Sequence, residues 1–333
     1  MPTPTPPLAQ ELTLYDWTED KIADVFDAFT QEYGVKVNYL AYESQEEAIQ
    51  AMRAGQVFDV VVMENQFIPA LIAEGRLAEI DYHHVPNFKN ISPNFRNLAH
   101  DPENNYTIPY SWGTSGLVVR DDLVVEPVTR WADLWDARYA GRVVLWTSTP
   151  RFTLGAALLS LGYPVNSEDP AQLEAALERL LELKPHAIWL DEQDSSAPWL
   201  VSGEAVMALG WAYDVWTARE ENPNVSYVLP QEGAMLWGDN FVIPANSPNQ
   251  YTAELFLNFV LRPEITGQLV NANYYPMPND AATPFIEAKI LDNMVIYPGN
   301  EQMKNAQLIL PLSPPGERLH QEIWERFVAE EVK

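Results

Sequence analysis

Short segments of this 333-residue chain set tryptophan or tyrosine beside a carboxylate: Tyr15-Asp-Trp-Thr-Glu-Asp20, Gly210-Trp-Ala-Tyr-Asp-Val-Trp216 and Trp237-Gly-Asp239, with the aromatic pair Tyr274-Tyr275 before Pro276. An ammonium group taken out of water needs a carboxylate partner and a substitute for its lost hydration. The methylenes of an alkylamine want apolar walls. Indole and phenol faces supply the walls, and about 0.5–2 kcal/mol of cation–π attraction each. Together the segments describe a box for an alkylamine. Singly, each fits a plainer role, with the aromatic in the core and the acid stabilised at a helix N-terminus.

Other chemistries find little support. His83, His84, His100, His186 and His320 lack the H-E-x-x-H spacing of a zinc site. Asp101, Glu103 and Asn105 alternate as in a calcium loop, but Tyr106 stands where glycine is needed and the distal glutamate is missing, so a turn is the better reading. There is no P-loop and no G-x-G-x-x-G, and Gly113-Thr-Ser-Gly116 is not a nucleophile elbow. A pair of acids could serve a glycosidase, yet the sequence lacks a barrel-like repeat and gives no carboxylate spacing. With no cysteine there are no disulfides, thiolate metal sites or thiol nucleophiles. No cofactor is expected.

The charge balance is 20 Lys and Arg against 47 Asp and Glu, a net −27 with neutral histidines. Such a surface repels phosphate backbones and anionic head groups, which argues against nucleic-acid partners, and it concentrates small cations. Apolar residues make up 47% of the chain, enough for substantial cores, and the length suggests two domains. No stretch approaches the roughly 18 apolar residues of a membrane span; Leu154 to Val165 is interrupted by Gly155, Gly162 and Pro164.

The positioning elements follow from periodicity. Ile22, Val25, Phe26, Phe29 and Tyr33 recur at helical spacing, with Asp16 or Thr18 as cap candidates and Gly34 as the stop. Strands at Leu12 to Tyr15 and Val35 to Tyr39 flank this helix. A helix near Gln45 to Ala54, the apolar run Phe58 to Met63 and a helix near Phe67 to Glu74 come next. The unbroken run suits a strand buried on both faces. Later strands are predicted at Arg142 to Trp146, Ala205 to Trp211, Val225 to Leu229 and Phe241 to Ile243. Helices are predicted at Phe152 to Leu161, Ala171 to Leu183, Tyr251 to Leu261 and Ile265 to Ala272. Alternating strands and helices imply an α/β fold whose ligands sit at the carboxyl ends of strands. The start, Met1-Pro-Thr-Pro-Thr-Pro-Pro7, reads as a stiff linker such as follows a removed export signal or a lipid-bearing cysteine.

Taken in order, several blocks resemble the extracellular spermidine/putrescine-binding proteins of bacterial ABC importers. They are Leu14-Tyr-Asp-Trp-Thr-Glu19, Tyr42-Glu-Ser44, Asp59-Val-Val-Val62, Asp101 to Gly113 and Trp131-Ala-Asp-Leu-Trp135. Later ones are Gly210 to Trp216, Glu232-Gly-Ala-Met235, Asp239 to Ala245 and Leu261-Arg-Pro263. The resemblance implies a type II periplasmic-binding-protein-like fold of two α/β lobes on a hinge, with crossings near Leu117 to Arg120 and Asp239 to Ile243. One lobe would comprise residues 10–118 and 240–285, the other 119–239 and 286–333, after a linker of residues 1–9. It further implies a monomeric, periplasmic or extracellular receptor, lipid-anchored or free, that hands a polyamine to a membrane permease and performs no chemistry.

By the same resemblance Trp17, Trp211, Trp237 and Tyr275 would be cage aromatics, with Thr18 beside them, while Glu19, Asp214 and Asp239 would meet ammonium groups. Tyr213, Phe67 and Trp112 would line the cleft or serve the core. Where the family usually carries ligand-holding acids, this chain has Ser148, Thr149, Pro150, Arg151 and Phe152. Where it usually has Pro-Ser, this chain has Met63-Glu64-Asn65-Gln66, so Glu64 is expected to supply a replacement carboxylate. Arg151 admits a different ligand, one with an acidic end such as an amino acid derivative, or a plain role as a surface cation capping the next helix. The adjacent Tyr274 and Tyr275 also admit ferric iron, although their setting before Pro276-Met-Pro278 matches the polyamine proteins better.

An acidic field steers cations over distances that salt screens. Association of a cationic ligand should therefore slow as ionic strength rises, measured by stopped-flow fluorescence; identical association rates at low and high salt would remove the steering role.

Overall fold

The computed structural model describes residues 6–17, 23–191 and 194–330. In chain order the first elements are β1 (Glu11–Trp17), α1 (Ala23–Tyr33), β2 (Lys36–Tyr42), α2 (Gln45–Arg53), β3 (Val60–Glu64) and α3 (Ile68–Ala73). Then come β4 (Thr107–Arg120), β5 (Val143–Trp146), α4 (Pro150–Ser160), α5 (Pro170–Leu183), β6 (Ile188–Leu190), α6 (Ala197–Ser202), β7 (Met207–Trp211), α7 (Ala212–Glu221) and β8 (Val225–Val228). The remainder holds β9 (Met235–Val242), α8 (Gln250–Val260), α9 (Pro263–Asn273), α10 (Ala288–Leu291), α11 (Asn300–Met303), β10 (Gln307–Leu308) and α12 (Pro314–Ala329). The chain makes two compact units, one from the segment up to Trp112 together with Gly238–Ile296, the other from Gly113–Trp237 together with the segment from Tyr297 on.

In the first unit the strand order is β2-β1-β3-β9. β1 pairs in parallel with β2 and β3, and β3 pairs antiparallel with β9. Tyr15, Val61 and Met63 join Ile49, Met52, Ile68 and Leu71 in a core under α2 and α3. Leu12, Leu14, Val60 and Val62, which alternate with them, are equally buried. Both faces are therefore covered, which is why β3 reads as an unbroken apolar run. Phe29 of α1 packs against Phe256 and Phe259 of α8, with ring centroids 5.2 and 5.4 Å apart. Gly34 ends α1 with φ +71°, the left-handed conformation expected of a glycine stop.

In the second unit β4 pairs antiparallel with β7 on one side and β8 on the other, and β7, β5 and β6 continue in parallel. Leu154, Leu158, Leu173, Leu177, Leu180, Ile323 and Phe327 form the core that binds α4, α5 and α12. The α/β alternation and most predicted elements are observed within a few residues. Periodicity overlooked β4, α7 and α12. β4 looks like a loop in sequence, with Pro109, Gly113 and Gly116 among its hydroxyl residues, yet nearly all of it is buried. At Gly116 a Cβ would stand 2.6 Å from the Val228 carbonyl, so the close approach of β8 requires glycine.

Two local readings are settled by hydrogen bonds. Asp16 is not a helix cap: it lies inside β1, and its Oδ1 accepts the N–H of Trp17 at 2.8 Å. Thr18, the other cap candidate, falls outside the described residues. Asp101 organises a turn, accepting the N–H groups of Asn105, Tyr106 and Thr107 and the Thr107 hydroxyl at 2.8–3.0 Å. Its carboxylate is thereby committed to its own backbone, and the turn delivers the chain into β4.

His100 and His320 are buried, and burial pulls each ring down from 6.5 to about 4. Both stay neutral in the folded protein while the unfolded chain takes up protons near pH 6.5. Stability is thus complete above about pH 6.5 and declines as the pH falls toward 4, by at most about 1.4 kcal/mol per pH unit for each ring. Urea unfolding across this window should show a shallower acid decline in His100→Gln and His320→Gln; slopes unchanged from wild type would contradict the linkage.

Candidate ligand-binding site

The first unit gathers its candidate residues at one edge of its sheet. Parallel β1, β2 and β3 end at Trp17, Tyr42 and Glu64, and Trp17 stands level with Tyr42 in the β1–β2 register. The antiparallel return of β9 sets Asp239 directly opposite Glu64. This is the carboxyl edge, where open α/β sheets place ligands. The Trp17 ring lies 4.8 Å from that of Tyr42 and tilts 58° against it, while the Tyr39 hydroxyl donates to the Trp17 carbonyl.

Charge converges on Tyr42. Its phenol is fully buried, and it is pushed well above its usual value of 10, first by burial and then by the negative fields of Asp16, Asp239 and Glu64. The phenol stays neutral, and its hydroxyl donates to the Val62 carbonyl at 2.9 Å and accepts from Gln45 Nε2 at 2.8 Å. Glu64 accepts from Gln66 Nε2 at 2.7 Å. Asp239 is 7% exposed and accepts from the Ser111 hydroxyl at 3.0 Å. Trp112, the next residue, donates its N–H to the Pro276 carbonyl at 3.1 Å, which ties the half-buried Tyr275 segment to the same stretch of β4. The Tyr274 before it closes α9 in the left-handed conformation, with φ 58°.

The second unit holds the other candidates. Trp211 ends β7, caps α7 and packs its ring 5.7 Å from Trp146 and 5.6 Å from Phe152. Asp214 in the first turn of α7 uses both oxygens locally: Oδ2 accepts the Trp211 N–H and Oδ1 the Ser196 hydroxyl, each at 2.8 Å. Burial nevertheless raises its carboxyl above the usual range, against the pull of those hydrogen bonds. Trp237 fills the space in which Gly113 would otherwise carry a Cβ.

Of the predicted site residues, Trp17, Glu64 and Asp239 share one sheet edge, Tyr275 is linked to it through β4, and Trp211, Asp214 and Trp237 belong to the second unit. Thr18 and Glu19 lie outside the described residues. Phe67 packs on the core of the first unit, the Trp112 ring lies 5.5 Å from Phe95, and Tyr213 is exposed. Sequence reasoning missed Asp16, Tyr42 and Ser111, although all three sit inside segments it had singled out. Arg151 does not stand as a surface cation. It is mostly buried and reaches Asn166 Oδ1 and the Leu310 carbonyl at 3.0 and 3.1 Å, with Glu317 at 3.8 Å. Among the described residues no group of three or more His, Asp and Glu side chains could hold a metal ion, and no helix is long and apolar enough to cross a membrane.

The family model for bacterial extracellular solute-binding proteins matches residues 24–292. The spermidine/putrescine-binding periplasmic protein of Escherichia coli K12 is 34% identical over 299 residues, covering 89% of this chain and 85% of its own. The putrescine-binding periplasmic protein SpuD of Pseudomonas aeruginosa is 30% identical and covers 95% and 91%. Among solved structures, the spermidine/putrescine ABC transporter substrate-binding protein PotD of Streptococcus pneumoniae superposes with a TM-score of 0.85 at 30% identity, over 96% of this chain and 99% of that one. The α/β architecture is thus the two-lobed fold of periplasmic binding proteins, and this chain belongs to the bacterial extracellular solute-binding protein family.

Proposed function

We propose that this protein is the receptor of an ABC importer, that it works outside the cytoplasmic membrane as a monomer, and that it carries a polyamine without transforming it. The observation that supports this most is the edge of the first unit, where Trp17 packs on Tyr42 and Glu64 stands directly opposite Asp239. A linear polycation matches that edge, because its ammonium groups answer the carboxylates while its methylenes lie on the indole. The names of the relatives, which specify spermidine and putrescine, point to the same ligand class. A net charge of −27 opposes nucleic acid and favours a cationic cargo.

Glu64 and Asp239 take the role of ammonium partners in this reading, with Ser111 orienting Asp239. Trp211 and Trp237 are proposed as further aromatic contributors. Asp214, already bonded through both oxygens, is better suited to holding the Trp211 backbone than to direct contact.

The test is calorimetric titration of refolded, ligand-stripped protein with amines from putrescine to spermine. One-to-one binding at micromolar affinity or better is expected, and no heat from folded protein with any amine would sink the reading. Asp239→Asn should weaken the preferred amine by about 1.5–3 kcal/mol, tenfold or more, as for loss of a charged hydrogen bond. A smaller loss would make Asp239 structural. Glu64→Gln should lower affinity and change the preferred chain length; an unaltered affinity series would exclude it from the site.

A further inference from the structure

Asn65 follows Glu64 at the end of β3 and is buried. Its N–H donates to the Gly238 carbonyl at 3.0 Å, and its side-chain Oδ1 accepts from Asn240 Nδ2 at 2.7 Å. One residue thus grips both chain neighbours of Asp239. The approach is so close that a Cβ on Gly238 would stand 2.9 Å from Asn65 Nδ2. Asn240, which is 1% exposed, also engages buried His100. On the opposite side, the Glu64 N–H donates to Gln45 Oε1 at 3.2 Å, and Gln45 is anchored by Tyr42.

Neutral amides buried in this way must find partners, and an apolar filling would avoid that demand. What they supply is resistance to movement. Like charges directly opposite each other on adjacent strands repel and tend to splay the pair. The grip of Asn65 on residues 238 and 240 opposes that tendency at the one point where it acts.

We propose that Asn65 is a positioning residue that holds the Asp239 carboxylate at a set distance from Glu64, and so decides which spacing of ammonium groups the edge accepts. The proposal rests on the polyamine reading above. Asn65 itself does not touch the amine; it acts through Asp239. Because discrimination between amines of different length depends on where the carboxylates stand, loosening them blurs the preference as well as weakening binding.

Two variants separate positioning from simple folding. Asn65→Ala leaves the Asn240 amide without its acceptor, whereas Asn65→Ala combined with Asn240→Leu and His100→Leu replaces every member of the Asn65–Asn240–His100 set by an apolar group and relieves that burden. Thermal midpoints and dissociation constants for putrescine and spermidine are measured for both and for wild type. Asn65→Ala should lower the midpoint and weaken the preferred amine about tenfold. The triple variant should regain the midpoint but not the affinity, with the ratio of the two constants closer to one than in wild type. Affinity and amine preference that recover together with the midpoint would overturn the positioning role, as would wild-type constants in either variant. Wild-type protein that binds neither amine overturns the polyamine reading itself, and this one with it.

Discussion

The antiparallel pairing of β3 with β9 is the constraint on which the candidate site depends. It brings a strand from late in the chain beside one from its first quarter and sets Glu64 level with Asp239. Two acids facing the same way on adjacent strands cost stability unless something neutral holds them and something positive answers them. The neutral part is visible in Ser111, Gln45, Gln66 and Asn65, each of which hydrogen-bonds the acids or the backbone around them, and in Asn240, which bonds the Asn65 side chain. Burial first, and the negative fields of Asp16, Asp239 and Glu64 after it, keep the Tyr42 phenol protonated.

β4 is the second support. The Asp101 turn feeds it, Ser111 orients Asp239, and Trp112 holds the stretch after Tyr275 through the Pro276 carbonyl. Consecutive residues of one strand thus carry separate parts of the site. Beyond Trp112 the same strand enters the second unit, where its pairing with β7 sets Ser115 level with Trp211. Elements that place candidate side chains in both units therefore belong to one continuous stretch of backbone.

The second unit treats its charged residues differently. Asp214 accepts the Trp211 N–H and the Ser196 hydroxyl, and one guanidinium nitrogen of Arg151 donates to Asn166 and the Leu310 carbonyl, with Glu317 nearby. A carboxylate close to an aromatic residue therefore serves the fold as well, through hydrogen-bond geometry that residue type alone does not reveal.

Much was legible in the sequence alone. The apolar run of β3, the helical spacing of α1 and the glycine at its end follow from burial on two faces, from 3.6-residue periodicity and from the backbone freedom of Gly34. The aromatic and acidic segments gave the expectation of a cationic ligand, because few other ligands need both kinds of side chain. What stayed hidden depended on partners distant in sequence. β4 has the composition of a loop and becomes a strand because β7 and β8 bury it from both sides. Asp16 looked like a cap until β1 extended through it. Glu64 could be named as an unusual acid, but not as the opposite number of Asp239, since cross-strand register is set by the packing of the whole sheet and leaves no local trace. Residue chemistry set the expectation of an amine ligand; tertiary pairing decided which acids stand together, because hydrogen bonds and charge act over a few ångströms of space and not along the chain.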